Sequence, residues 1–359
     1  MDNLKVFLTF LVIAHHAAQA YGPTGGEWIY QNLGPREEWL GNFMTVNASF
    51  FMGLFFMLSG FFLPQSLKGK KIRTFISGKL KRLMIPVLLI LTVIVPVYFY
   101  LASNYKIENR TNFFDYYINT YWLTGIFSYE YGWYMVNLFI YSLVYAVVTV
   151  SFKNRDLKLF PHLKMRHILL LAATVGLISS LVRSIYPIDT WIDLFGVIGM
   201  EPAHVTQYVL FFAFGILAYK NSYFTQISKK MGCTICSMGL FMALVIYLSN
   251  LGFMKDIMTV VWIMWAIYES FMAVFIAIGL IVLFREYFNK SNKLFNRIAH
   301  NAFGAYVFHN LFVVIFQLSF DEVSIGTSFK FLSVSILSIV ASFLTSYFIR
   351  KIKFVKVLI

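Results

Sequence analysis

Charge is scarce in this chain: only 13% of its 359 residues are Asp, Glu, Lys or Arg, roughly half the share of an ordinary soluble domain. Cysteine is scarcer, at two residues, which excludes a disulfide scaffold. No segment alternates with period two, so a transmembrane barrel is excluded. No strong internal repeat and no low-complexity tract is visible, which excludes a solenoid. What fills the chain instead is apolar: 59% of it is hydrophobic and the mean hydropathy is +0.70. A soluble core of this length cannot hide that much apolar surface, and disorder is excluded for the same reason. The composition is that of an integral membrane protein.

A membrane helix needs about 20 mostly apolar residues. Ten stretches qualify: Leu4 to Tyr21, Phe43 to Leu63, Leu83 to Leu101, Trp133 to Phe152, His167 to Tyr186, Ala203 to Tyr219, Cys233 to Leu251, Ile257 to Phe284, Ala299 to Phe320 and Phe331 to Ile349. Basic residues cluster after the even-numbered spans, as in Lys68 to Arg82, Lys153 to Arg166, Lys220 to Lys230, Arg285 to Arg297 and Arg350 to Lys356. Twenty-three fall on that side, against five on the other: Arg36, Lys106, Arg110, Lys255 and Lys330. The positive-inside rule then places both termini in the cytoplasm, and ten spans satisfy the alternation. The net charge of +14 is mostly topology, so no nucleic-acid partner is expected. The expected fold is all-α and polytopic, a single membrane domain over residues 1–359 with no appended soluble domain and no cleavable signal. The longest outer segments are residues 22–42 and 102–132. The second is rich in aromatics (Phe113, Phe114, Tyr116, Tyr117, Tyr121), which predicts a packed re-entrant or interfacial cap.

Ionisable groups inside spans are costly and so mark candidate sites. The first span carries Lys5, His15, His16 and Gln19. Lys5 and His16 stand eleven residues apart, three helical turns or about 16 Å on nearly one face. Lys5 alone reads equally well as a snorkelling anchor. Two adjacent imidazoles do not reduce so readily to packing. His309–Asn310 lies ten residues into the ninth span, at a depth that matches His16. Two imidazoles at one depth suggest a proton-transfer or general-base centre, with an interhelical hydrogen bond as the plain alternative. Glu269 lies midway along the eighth span and Arg183 near the outer end of the fifth; structural pairing and a functional role fit both. His204 and Gln207, next to Glu201, open the sixth span as an outer vestibule or as interface caps. Cys233 and Cys236 form a CxxC without a second pair or a following His, which points to ordinary packing. Asn109-Arg110-Thr111 matches a glycosylation sequon, relevant only in a eukaryotic secretory pathway.

The cytoplasmic link "SLKGKKIRTFISGKLKRLMIP" holds seven basic residues beside Ser59-Gly60-Phe61. Topology and anionic lipid explain part of that charge. A phosphate-rich ligand would also be held by it, with Gly60 permitting close approach of backbone.

These motifs together resemble the integral-membrane acyltransferase family 3, bacterial O-acyltransferases that modify surface and periplasmic carbohydrates. The first-span basic residue, ten intervening residues and His are Lys5 and His16, with Lys in place of the usual Arg. "FFMLSGFFL" resembles the second-span SGF element through Ser59, Gly60 and Phe61. "FISGKLKRLMIP" resembles the basic run and proline that open the third span, through Lys79, Lys81, Arg82 and Pro86. "YGWYMVNL" and "FGAYVFHN" resemble the outer Trp-aromatic and late Tyr-x-x-His elements, through Trp133, Tyr134, Tyr306 and His309. The likeness extends over the whole membrane domain.

The resemblance implies an acyl-CoA donor, usually acetyl-CoA, bound from the cytoplasm by Lys5, Ser59, Lys79, Lys81 and Arg82, and no permanently bound cofactor. It implies His16 as general base, with His15 or His309 orienting it or relaying its proton; an acyl-His intermediate is an equally open route. The acceptor would be a carbohydrate or glycolipid hydroxyl arriving from the outer face, past Trp133, Tyr134, Arg183, His204 and Glu269. The implied place is the bacterial cytoplasmic membrane, and no metal constellation is evident. Two other classes compete. A proton-coupled secondary transporter would also use intramembrane His and Glu, but the matching broken helices and internal repeat of many transporters are missing. A structural subunit would tolerate loss of His16. Acceptor identity, acyl group and oligomeric state are not legible in the sequence.

Overall fold

In lipid every backbone polar group must find a partner within the protein, and an apolar run of sufficient length meets that demand by forming a helix. The computed structural model describes all residues except 24–27, 31, 33, 109–110, 125–129, 152–159, 195–197, 249–261, 290–291 and 353–359. The sequon residues Asn109 and Arg110 and the basic residues Lys153, Arg155, Lys158, Lys255, Lys290, Lys353 and Lys356 lie outside the described residues. Among the described residues, eleven helices of nine residues or more carry the chain: α1 (Asp2–Gln19), α2 (Glu38–Leu67), α3 (Ile72–Leu89), α4 (Val95–Ser103), α5 (Trp133–Ser151), α6 (Met165–Arg183), α7 (Pro202–Lys220), α8 (Lys229–Leu248), α9 (Trp262–Glu286), α10 (Lys293–Ser319) and α11 (Thr327–Ile349). A short antiparallel pair, β1 (Ile192–Leu194) with β2 (Ile198–Met200), is the strand structure among the described residues.

Nine helical stretches among the described residues are long and apolar enough to cross a membrane, the α3–α4 run counting as one. The tenth expected span is α1. It is an 18-residue helix, but Asp2, Lys5, His15, His16 and Gln19 dilute its apolarity. The chain is an all-α, multi-pass membrane protein.

The described contacts divide into two compact units, one made of Met1–Lys5, Thr45–Ser77 and Ile140–Asn292, the other of Val6–Met44, Gly78–Phe139 and Lys293–Ile359. In the first unit, glycines let helices touch backbone to backbone. A Cβ at Gly60 would lie 2.1 Å from the Phe212 carbonyl oxygen, and one at Gly215 would lie 2.0 Å from that of Met57, so α2 and α7 cross at the closest possible approach. Small residues serve membrane helices in this way because lipid supplies no hydrophobic drive between them. Gly60 therefore makes room for a helix. The same device joins α8 to α9, where a Cβ at Gly279 would lie 2.6 Å from the Cα of Cys236. Cys236 is a buried packing residue there and both cysteines are free thiols.

Gly60→Ala is expected to destabilise the protein by about 1–3 kcal/mol, the usual cost of overpacking, read as a lower unfolding midpoint in detergent. Gly78→Ala is the control: a Cβ at Gly78 meets nothing within 4 Å, so α3 gains helix propensity at no steric cost. Equal midpoints for the two variants would mean that α2 and α7 do not cross as described.

In the second unit, Pro96 interrupts the helix that runs from α3 to α4. It lacks an N–H, so the preceding turn opens into a π-helix over Ile90–Ile94. Tyrosines from the helical segment 113–122 then satisfy the freed carbonyls: Tyr121 OH donates to Leu91 O at 2.8 Å, and Tyr117 OH to Thr92 O at 3.1 Å. Their rings stack on one another, 6.2 Å between centroids. The aromatic cap predicted for residues 102–132 thus doubles as a set of hydrogen-bond donors to a broken helix. A core of Ile13, Ala17, Tyr21, Leu40, Met44, Val313 and Phe331 binds the C-terminal end of α1 to α10 and α11.

Candidate active site

The second unit gathers the first-span and ninth-span imidazoles. His16 and His309 have ring centroids 5.1 Å apart, and His15 lies 5.7 Å from His16, edge to face. Each of the two facing rings is held by an oxygen one turn away on its own helix. His16 Nδ1 is 2.6 Å from Gln19 Oε1, and His309 Nδ1 is 2.6 Å from Tyr306 O. A carbonyl oxygen only accepts, so each Nδ1 carries the proton and each Nε2 keeps its lone pair. Among the described residues, Nε2 of His309 is buried with no hydrogen-bond partner. The two rings differ in access: His309 is fully buried, whereas His16 is partly exposed. A reacting hydroxyl has to reach its base, so the geometry favours His16 for that role.

Aromatics lock the turn that carries His309. Tyr131 stands edge-on to its ring at 4.7 Å, and Tyr306 lies at 5.4 Å. Tyr306 OH donates to Tyr131 O at 2.6 Å, and Tyr131 OH donates to Val307 O at 2.5 Å. The two tyrosines thus brace each other's backbone. Glu130, just before Tyr131, sits at φ 42°, a left-handed conformation that strains a residue with a Cβ. Tyr134 packs on Tyr306 at 5.9 Å, with Trp133 beside it at 6.4 Å. Trp28 stacks on His16 at 5.3 Å and 26°. Tyr131 opens the string that drew attention to Trp133 and Tyr134, two residues before Trp133. Trp28 and Gln317 have weaker signals: a loop aromatic, and one amide in an apolar span.

Lys79, Lys81 and Arg82, in the part of α3 from Gly78 onward, belong to this unit. Lys81 and Arg82 are exposed and Lys79 is partly buried. Arg350, just past α11, is held below the ordinary arginine range by burial and by the like charge of Arg82. An anion bound beside them would relieve that like charge.

The first unit holds the other candidates. Lys5 Nζ lies 4.1 Å above the Phe62 ring and 3.2 Å from Asp2 Oδ1; Ser59, on the same helix as Phe62, is partly buried. Arg183 and Glu269 meet: Nη1 is 2.6 Å from Oε2, both side chains being buried, and Arg183 Nε donates to Ala203 O at 3.2 Å. His204 extends the chain, with Nε2 3.4 Å from Glu269 Oε1 and Nδ1 2.7 Å from Glu201 Oε2. Glu201 Oε1 then accepts from the Asp189 backbone N–H at 2.8 Å. Burial works to raise the Glu201 carboxyl, but His204, the Asp189 N–H and Arg183 together hold it below the usual carboxylate range. Burial and the neighbouring Glu201 raise Asp189. Alternating signs make Arg183, Glu269, His204 and Glu201 a self-compensating array.

A family model described as an acyltransferase domain matches residues 1–350. Neither the curated proteins nor the solved structures returned a match to the chain.

Proposed function

Because this chain belongs to the membrane acyltransferase family whose model spans it, we propose that it moves an acyl group, acetyl in the simplest case, from cytoplasmic acyl-CoA to a hydroxyl of an extracytoplasmic carbohydrate or glycoconjugate at the bacterial cytoplasmic membrane. The observation that carries this reading is the His16–His309 pair, 5.1 Å apart, with both Nδ1 atoms tied to oxygen acceptors. Nε2 of His16 takes the acceptor's hydroxyl proton as the oxygen attacks the thioester carbonyl. The C–O bond forms, the C–S bond breaks, and the imidazolium returns its proton to the departing thiolate, giving ester and free CoA thiol. His309 and His15 orient His16 or share its proton. Lys79, Lys81 and Arg82 hold the donor's phosphates. Trp133 and Tyr134 supply aromatic faces for a sugar ring.

Purified protein is the test material, with acetyl-CoA binding and consumption read side by side. Binding by wild type and by His16→Ala, with turnover about 10²–10⁴-fold slower in the variant, supports the reading; failure of both to bind acetyl-CoA sinks it for that donor. Charge reversal at Lys81 and Arg82 together is expected to weaken acetyl-CoA binding at least tenfold, the loss of roughly 1.4 kcal/mol, and more steeply at low salt. Unchanged affinity would return these residues to a topological role. The buried array of Arg183, Glu269, His204 and Glu201 supports a second reading, proton-coupled transport, which predicts no thioester consumption at all.

A further inference from the structure

The indole on His16 is not used by the transfer just described. His16 is pinned at Nδ1 by Gln19, but a ring held at one atom can still pivot about it. His309 limits that pivot on one side at 5.1 Å, and Trp28 limits it on another at 5.3 Å and 26°, nearly face to face. Trp28 is itself fixed. Its Nε1–H donates to Gln317 Oε1 at 2.7 Å, and Gln317, fully buried on α10, donates from Nε2 to Ala17 O at 3.2 Å. Ala17 adjoins His16, so the circuit closes: Ala17, Gln317, Trp28, His16.

We propose that Trp28 is a positioning residue that holds the His16 imidazole and stabilises the imidazolium formed when His16 takes the acceptor's proton. The inference rests on the acyltransferase reading. The titratable groups that face His16 among the described residues are His15 on α1 and His309 on α10, with Tyr131 and Tyr306 behind His309. Neither imidazole offers negative charge to a neighbouring cation. The electron-rich face of the indole does, and tryptophan is the best aromatic partner for a cation. That attraction is absent while His16 is neutral and appears as it becomes charged. It therefore acts on the transition state more than on the bound substrate, which is the condition for raising the rate.

The test uses the full-length purified protein with acetyl-CoA and measures thioester consumption. Trp28→Leu is expected to lower kcat about 3- to 30-fold, the range of a cation–π contact from exposed to desolvated, and to leave KM for acetyl-CoA unchanged. Trp28→Phe keeps an aromatic face and recovers part of the loss. Gln317→Met, which removes the anchor of the indole, moves kcat the same way by less. In a His16→Ala background Trp28→Leu has no further effect, since the group it acts through is gone. A role in folding alone would not show that dependence. Unchanged kcat in Trp28→Leu, a rise in KM at constant kcat, or an undiminished effect in the His16→Ala background overturns the proposal. If Trp28→Leu fails to fold, Trp28→Phe and Gln317→Met decide it by the same criteria. Wild-type turnover that is lost in His16→Ala but untouched by all Trp28 and Gln317 variants removes Trp28 alone. Absence of wild-type turnover removes the acyltransferase reading, and Trp28's role falls with it.

Discussion

His16→Ala leaves a protein that inserts, folds and binds donor, yet transfers acyl groups about 10²–10⁴-fold more slowly, the usual contribution of a general base. Folding survives because the imidazole is partly exposed and its hydrogen bond runs to Gln19, one turn along the same helix. Its removal strands no buried charge. His309 is the informative second site. It is fully buried, its Nε2 has no hydrogen-bond partner among the described residues, and its ring lies 5.1 Å from that of His16. If His309 acts through His16, the double variant loses no more than His16→Ala does. Residues that work as one unit behave in this non-additive way. The assay is acyl-CoA consumption by reconstituted protein. Residual turnover within a few-fold of wild type would take His16 out of the chemistry. Loss confined to His309→Ala would exchange the two roles.

The parts of this site that could be read from the sequence share one property: each is a polar residue in an apolar run. His15, His16, His309, Glu269 and Arg183 stand out because burying them in lipid is costly and a random occurrence is rare. Depth was legible as well, because a helix rises by a fixed amount per residue. Partnership was not. Glu269 and Arg183 are 86 residues apart in the chain, and nothing local says that α6 and α9 present them to each other. Gly60 shows the opposite difficulty. A glycine in an apolar helix admits a ligand or a neighbouring backbone equally well, and here the neighbour is Phe212 of α7. Tyr131 and Trp28 escaped notice because short turns and loops have no periodicity to depart from. Tyr117 and Tyr121 did signal an aromatic cap, but their hydroxyls' task depends on Pro96, some twenty residues earlier in sequence.

Glu269→Gln is expected to be the most destabilising of the substitutions that leave the imidazole pair alone. It abolishes the charge that faces Arg183 at 2.6 Å and His204 at 3.4 Å and leaves a guanidinium that is only 3% exposed without its counter-ion. Breaking one side of a buried pair costs about 3–5 kcal/mol, whereas replacing both sides with apolar groups of similar size is often neutral. Arg183→Met should cost less than Glu269→Gln, since Glu269 keeps His204. The double variant Arg183→Met with Glu269→Met should recover much of the loss, because His204 still has Glu201 at 2.7 Å. Unfolding midpoints in detergent of Arg183→Met, Glu269→Met and the double variant supply the cycle, and simple additivity of the two losses would mean that Arg183 and Glu269 are not paired. The same double variant separates structure from chemistry. If the array is only a brace between α6, α7 and α9, the restored protein turns over acyl-CoA like wild type. If Arg183 and Glu269 also hold the acceptor, it is stable, consumes donor slowly in the acceptor's presence, and needs more acceptor to reach half its rate. A stable, fully active double variant would therefore leave acceptor recognition to Trp133, Tyr134 and the imidazole cluster.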